Sequence, residues 1–389
     1  MGTAAPLQPR GAHWSPVAVG AWLWSHQAVS IAPPLVARPE AATPDWLTSV
    51  LRHAGALGQD SRVASIDWQS IGTGQVGSNV RFLLGYEGEP GPPSLVGKFA
   101  SEDPDSASAG VNTLTYETEV AFYRDIAPTV EVSRPRCYFA AVEAGTANVV
   151  LILEDLHPAQ QGDQLAGCTV EQAELAVTEA ARLHGPRWAD PALEAVPWLA
   201  RERGGDLFAV LPTLWQGFVE RYGQFLAPVT LDQGPRLMEL FPLIRTPDAP
   251  RPTPVHGDFR LDNMLFDPTG QRAPVTVVDW QTVSLGVGTS DVAYFLGNCF
   301  ADPGVRRANE QRLLQQYHQV LTSYGVAGYP LEQCWDDYRR SSYASMLMAI
   351  FASMIVGRTD RGDQMFVAMA DRSAQMAADL DAPGALGER

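Results

Sequence analysis

The chain has 389 residues, 46% apolar and 19% charged, enough to bury one large core or two lobes and too apolar for bulk disorder. With 28 basic against 44 acidic residues the net charge is −16, which disfavours nucleic-acid binding through a basic face. Cys137, Cys168, Cys299 and Cys334 lie far apart without metal-ligand spacing, so a reduced, cytoplasmic protein is expected.

Residues 1–43 read as a poorly ordered arm or N-terminal extension. Val17 to Trp24 is apolar behind Arg10, and Ala28-Val29-Ser30 could mimic a secretory cleavage site, but the chemistry argued below belongs in the cytosol. Pro44-Asp45-Trp46 opens a short amphipathic helix to about His53. Ile66 to Trp68 and Val80 to Leu84 read as strands by their β-branched and aromatic content. Between them, Gly72, Gly74 and Gly77 form G-x-G-x-x-G, followed by Ser78. That pattern also marks dinucleotide-binding turns, but there the loop opens a helix. Here Val80, Phe82 and Leu84 alternate, so the glycines sit at the tip of a hairpin, a flexible cover for phosphates.

After the turn Glu87 to Pro93 comes a strand carrying Lys98, the only lysine among the 28 basic residues. Where the composition uses Arg elsewhere, a single Lys suggests a site that wants a compact ammonium rather than a planar fork. Ser101 to Gly110 reads as a polar loop, and Asn112 to Ile126 as a helix ended by Pro128. On that helix Tyr116, Glu119 and Tyr123 share one face, which aims Glu119 at the sheet, with Glu117 nearer solvent. Arg136–Ala141 and Asn148–Leu153 are predicted strands, and residues 154–158 a hinge. Backbone groups at Glu154 and Leu156 could read an adenine edge, while the Glu154 and Asp155 side chains cap or bridge the linker. The predicted organisation is an N-lobe over 44–153, the hinge, and a helical C-lobe over 159–389. Thr169 with Gln172 forms a capping-box pattern for a helix reaching His184. Ser341 to Gly357 is apolar but short for a membrane span, so a buried helix is expected and no membrane partner. Residues 382–389 read as a frayed tail.

The most informative segment is His256-Gly257-Asp258-Phe259-Arg260-Leu261-Asp262-Asn263, followed by a second apolar run ending at Asp279-Trp280. Its spacing reproduces the H-R-D-x-x-x-x-N of phosphoryl-transfer enzymes, with Gly257 in place of Arg. One carboxylate, Asp258, would orient an acceptor hydroxyl and take its proton. An amide oxygen, Asn263, and a second carboxylate, Asp279, would hold the Mg²⁺ that neutralises ATP phosphates.

These stretches, with Glu119-Val120-Ala121-Phe122-Tyr123 and Leu153-Glu154-Asp155-Leu156, resemble the aminoglycoside phosphotransferase and choline kinase-like superfamily, most of all its ecdysteroid kinase-like bacterial branch. The kinase domain associated with acyl-CoA dehydrogenases has a similar catalytic segment. The resemblance covers about 44 to 380. It implies an α+β bilobal protein-kinase-like fold and transfer from ATP–Mg²⁺ to a small-molecule hydroxyl. Asp258 matches the family's base, Asn263 and Asp279 its metal ligands, Lys98 its phosphate lysine and Glu119 that lysine's partner. His256 and Asp291 match positions that brace the catalytic loop. Arg260 would serve either the γ-phosphate or a structural salt bridge. Asp279 and Asp291 are a dozen residues apart, leaving little room for an activation loop, and no A-P-E follows, so a protein substrate is disfavoured.

The acceptor stays open at this level. Trp198, Trp215, Phe218, Tyr222, Phe225, Trp335, Tyr338, Met346, Met348, Phe351 and Met354 give a slight lean to an apolar alcohol: a steroid, lipid, polyketide or acyl thioester. An aminoglycoside would want clustered acids, for which Asp336-Asp337 is one candidate. A non-catalytic nucleotide-binding pseudokinase is the alternative from another class. The sequence does not set the oligomeric state.

Overall fold

The computed structural model describes residues 32–72, 77–199, 209–244 and 251–387. Gly74, and the apolar run Val17 to Trp24, lie outside them. Helix α1 (Pro44–His53) starts at Thr43, whose hydroxyl accepts the Trp46 N–H at 3.1 Å, and it buries Trp46, Leu47, Val50 and Leu51. That face packs on an antiparallel sheet of β1 (Arg62–Ser70), β2 (Gly77–Glu87), β3 (Ser94–Ala100), β4 (Cys137–Val142) and β5 (Val149–Glu154), ordered β1-β2-β3-β5-β4.

The period of two along β3 decides which side does what. Leu95 and Phe99 join the α1 core, whereas Val96 packs on the other face, and Lys98 shares that second face. The final stretch of the expected arm is folded. Pro33 is buried, Leu35 and Val36 pack on the α1 core, and Trp46 Nε1 donates to the Pro34 carbonyl at 2.8 Å.

The expected loop 101–110 is largely helix α2 (Pro104–Asn112). Asp103 caps it by accepting the Ser106 N–H at 2.8 Å, and Pro104 occupies the first turn. Its Ser, Ala and Gly residues carry no apolar period, so only the cap announced it. Leu114, in the left-handed region at φ 59°, separates it from α3 (Thr115–Ala121). A π-turn, Phe122–Ile126, continues α3. The single helix expected over 112–126 is therefore two pieces.

Beyond β5 the chain is mainly helical. Short β6 (Gln160–Gln161) leads to α4 (Val170–His184), which carries the full capping box of Thr169 and Gln172. Then come α5 (Leu211–Tyr222), α6 (Pro228–Ile244), β7 (Thr253–Val255), β8 (Met264–Phe266), β9 (Val275–Val277) and β10 (Ser284–Gly286). The remaining helices are α7 (Thr289–Leu296), α8 (Pro303–Ser323), α9 (Leu331–Arg340), α10 (Ala344–Ile355), α11 (Asp360–Asp379) and α12 (Ala382–Leu386).

The apolar Ser341–Gly357 stretch is α10, buried along Met346, Ala349 and Ile350. No helix among the described residues is long and apolar enough to cross a membrane. The expected frayed tail is instead α12, capped by Asp381 and burying Ala382, Pro383 and Leu386. The arrangement is α+β, with a strand-rich N-terminal part and a helical C-terminal part. The two share one core, in which Tyr116, Val120 and Leu151 pack with Phe259, Val277 and Trp280.

Candidate active site

Two short strands bring the site residues together. In the β8–β9 ladder Met264 faces Val277, and the Val278 N–H donates to the Asn263 carbonyl at 3.0 Å. The residues flanking the ladder, Asn263 before β8 and Asp279 after β9, therefore sit side by side. Asp279 turns out of the strand at φ 69°, a left-handed conformation that costs a non-glycine residue about 1–2 kcal/mol and that Asp tolerates better than most.

Lys98 bridges the two halves of the molecule. Its Nζ lies 2.6 Å from Glu119 Oε2 and 2.6 Å from Asp279 Oδ1. Burial alone would push the ammonium down, but the two carboxylates outweigh it and hold the group above its ordinary value. Burial pushes Glu119 up, since one Lys98 charge is shared between two acids; Glu119 also accepts the Trp280 main-chain N–H. Asp279 is held down by Lys98 against the opposing effect of burial.

Asp258 sits in a fan of donors. The Tyr294 hydroxyl donates to Oδ1 at 2.7 Å, Asn263 Nδ2 to Oδ2 at 2.8 Å, and Arg260 Nε to both oxygens at 3.0 Å. Arg260 also pairs with Asp262 at 2.7 Å, and Asp262 accepts both Arg361 Nη1 and Nη2 at 2.9 Å. Arg260 is therefore in the salt-bridge arrangement, one of the two roles left open for it.

The loop itself is braced from beneath. Asp291, at the start of α7 and 1% exposed, accepts the main-chain N–H of His256 at 2.6 Å and of Gly257 at 2.9 Å, and His184 Nε2 lies 3.2 Å away. These partners keep its carboxyl below the ordinary range despite complete burial. His256 Nε2 faces the Val278 carbonyl at 3.0 Å while Nδ1 faces the Asp258 N–H at 3.2 Å. Only a neutral ring protonated at Nε2 satisfies both. Gly257 explains its own departure from Arg: at φ 80°, a Cβ would stand 2.9 Å from the Thr282 carbonyl oxygen.

Of the other expected residues, Gly72 has φ 72°, and a Cβ on Gly77 would lie 3.6 Å from Lys98 Cε. Ser78 pairs with Phe99 in the β2–β3 ladder. The Glu154 carboxylate accepts the Arg136 N–H at 3.2 Å and pairs with Arg272, so its side chain bridges the linker. Asp155 binds Arg81 at 2.7 Å and accepts the His157 N–H. The Leu156 carbonyl accepts the Ala159 N–H at 2.8 Å, and its own N–H has no recorded acceptor among the described residues.

Sequence reasoning missed Tyr294, Arg361 and the Phe122–Trp280 stack, whose rings lie 4.1 Å apart at 7°. Tyr294 was legible: it follows Asp291 by three residues and so shares its helix face. Arg361 was not, since 99 residues separate it from Asp262.

The chain is similar to known proteins. The model of the phosphotransferase enzyme family (APH) matches residues 78–327, more than half of the chain. Mouse acyl-CoA dehydrogenase family member 10 is 30% identical over 138 residues, which is 32% of this chain and 12% of that protein. Chicken family member 11 is 42% identical over 48 residues, 12% of this chain and 6% of that protein. The chain thus matches only a small fraction of these relatives' length. Among solved structures, a choline kinase from Cryptosporidium parvum has a TM-score of 0.50 at 11% identity, covering 82% of this chain and 91% of that one. A GDP complex of aminoglycoside 2'-phosphotransferase-IIIa has a TM-score of 0.46 at 14% identity, covering 80% and 94%. By the extent of the family match, this chain belongs to the phosphotransferase enzyme family.

Proposed function

We propose that the chain is an ATP- and Mg²⁺-dependent O-phosphotransferase whose acceptor is a largely apolar hydroxylated compound. The observation that carries the reading is the convergence of Lys98, Glu119 and Asp279 within salt-bridge distance beside the Asp258–Asn263 pair. In this reading residues 44–153 form the nucleotide lobe, 154–158 the hinge and 159–389 the catalytic and acceptor lobe.

Lys98, held by Glu119, binds the ATP phosphates. The hairpin at Gly72, Gly77 and Ser78 covers them, with Gly74 at its tip by sequence. Main-chain groups at Glu154 and Leu156 meet the adenine. The donor set suits Mg²⁺: Asn263 uses Nδ2 on Asp258, which leaves its amide oxygen, and among the described residues Asp279 Oδ2 has only the Gln281 amide at 3.2 Å. Mg²⁺ is commonly held by one or two protein oxygens together with phosphate oxygens, and it would neutralise charge on the transferring group. Asp258 aligns the acceptor hydroxyl and takes its proton. An acceptor hydroxyl would share the Asp258 carboxylate with the Arg260 Nε–H, which spans both of its oxygens at 3.0 Å.

The acceptor preference rests on the apolar side chains of the helical part. The guanidinium groups near Asp258 are all ion-paired and select neither sign of charge: Arg260 pairs with Asp258 and Asp262, and Arg361 with Asp262 and Asp163. Asp337, half of the acidic pair, is taken up by Tyr329 at 2.9 Å and Gln333 at 2.8 Å. Phe218, Tyr222, Tyr338 and Met346 are core, whereas Trp215, Met348, Phe351 and Met354 remain partly exposed around it. The test is ATP consumption with Mg²⁺ across sterols, macrolides, hydroxyacyl thioesters, choline and aminoglycosides. Turnover with an apolar alcohol is expected; selective turnover of aminoglycosides would reverse the acceptor assignment.

A further inference from the structure

Behind the π-turn Phe122–Ile126 lies a cavity of about 510 Å³, within the range of small-ligand sites. Its walls include Tyr123, Ala127, Val132, Arg134, Pro135 and Cys137. Ala127, Val132 and Pro135 make one side apolar. Burial pushes the Cys137 thiol up to about 12, so it is neutral there.

The charges on the walls are unevenly matched. Glu154 at the rim is paired with Arg272. Arg136 turns its guanidinium away, donating to the Ala54 carbonyl at 2.9 Å and covering the Tyr138 ring at 4.9 Å. Arg134 is different. Its Nη1 donates to the carbonyls of Val130 at 3.3 Å and Val132 at 3.0 Å, and no carboxylate pairs with it among the described residues. Its Nε and Nη2 hydrogens have no protein acceptor among those residues. Burial accordingly pulls it below the ordinary arginine value. A part-buried guanidinium with N–H groups free of protein acceptors and no carboxylate beside it can take an anion through charge-assisted bonds.

We infer that this cavity is a binding site for a small organic anion, a carboxylate with an apolar body, whose charge meets Arg134 and whose body lies on Ala127, Val132 and Pro135. The site meets the nucleotide reading above only at Glu154, which stands at its rim. Its other walls come from the stretch that follows Glu119 and from the strand start at Cys137, and they share no residue with the Lys98, Asp258, Asn263 and Asp279 set. An apolar body alone gains burial, and the charge-assisted bonds to Arg134 supply selectivity.

The test is calorimetric titration of the full chain with octanoate, 1-octanol, octylamine and inorganic phosphate, repeated in saturating Mg·ADP. Octanoate is expected to bind at least about tenfold more tightly than each of the other three, one charge-assisted contact's worth. Its affinity should stay within about threefold when Mg·ADP is present, and Arg134→Met should lose about tenfold. Equal binding of octanol, or no octanoate binding, would overturn the assignment on the unaltered protein, whatever the variant does. Displacement of octanoate by Mg·ADP would overturn it too, by placing octanoate in the nucleotide cleft.

Discussion

At the scale of single residues, Asp291 does more to hold the catalytic loop than any residue on the loop. One buried carboxylate fixes two successive main-chain N–H groups and one imidazole. Its folded-state value lies below the ordinary 3.8. A carboxyl depressed on folding contributes stability that is fully present above the unfolded value and is lost as pH falls through the folded one. Asp291→Asn should therefore cost about 2 kcal/mol or more in urea denaturation at pH 7. The gap to the unaltered protein should shrink as pH drops below 3.8. A gap unchanged by acid would show that the charge contributes nothing. The candidate residues His256, Asp258, Asn263 and Asp279 were legible because they keep a local spacing, and the short β8–β9 ladder holds Asn263 and Asp279 side by side. It could not expose Arg361 on Asp262 or His184 on Asp291, since those contacts join segments 99 and 107 residues apart and leave no periodic trace.

At the scale of elements, the join between α3 and the loop after β9 matters most. Glu119 ends one side of it and Asp279 the other, and between them Phe122 lies flat on Trp280, which is fully buried. The stack ties the carrier of Glu119 to the carrier of Asp279, so their shared contact with Lys98 does not rest on the ion pairs alone. Trp280→Ala should lose about 3–5 kcal/mol, the range for a buried aromatic replaced by Ala, in equilibrium denaturation. A loss under about 1 kcal/mol would mean that the ring is not part of the packed core. Elements with a period or a cap were readable: α1, the alternating strands, and α4 with its capping box. Helix α2 lacked an apolar period, α12 is too short to show one, and the π-turn has no compositional mark. Helix α12 packs on α6 and α9, far away in sequence, whereas α2 is held by its Asp103 cap and its neighbour α3, so none of these left an apolar period to read.

At the scale of the whole molecule, one sheet face and one pair of short ladders meet along a shared core, with Lys98 reaching across. The fold class was legible because strand-like and helix-like segments are segregated along the chain. The acceptor was less so, since Phe218, Tyr222, Tyr338 and Met346, four of the eleven aromatic and Met residues that suggested an apolar pocket, are core. The side chains that stay partly exposed, Trp215, Met348, Phe351 and Met354, support the lean to an apolar alcohol. The most direct measurement follows γ-labelled ATP with an active acceptor, comparing the unaltered chain with Asp258→Asn. Label should pass to the acceptor, and the variant should transfer it about 10²–10⁴-fold more slowly. Its affinity for Mg·ADP should stay within about threefold, because Asp258 is not among the residues assigned to the nucleotide. Transfer by the variant at the unaltered rate would contradict Asp258 as the base.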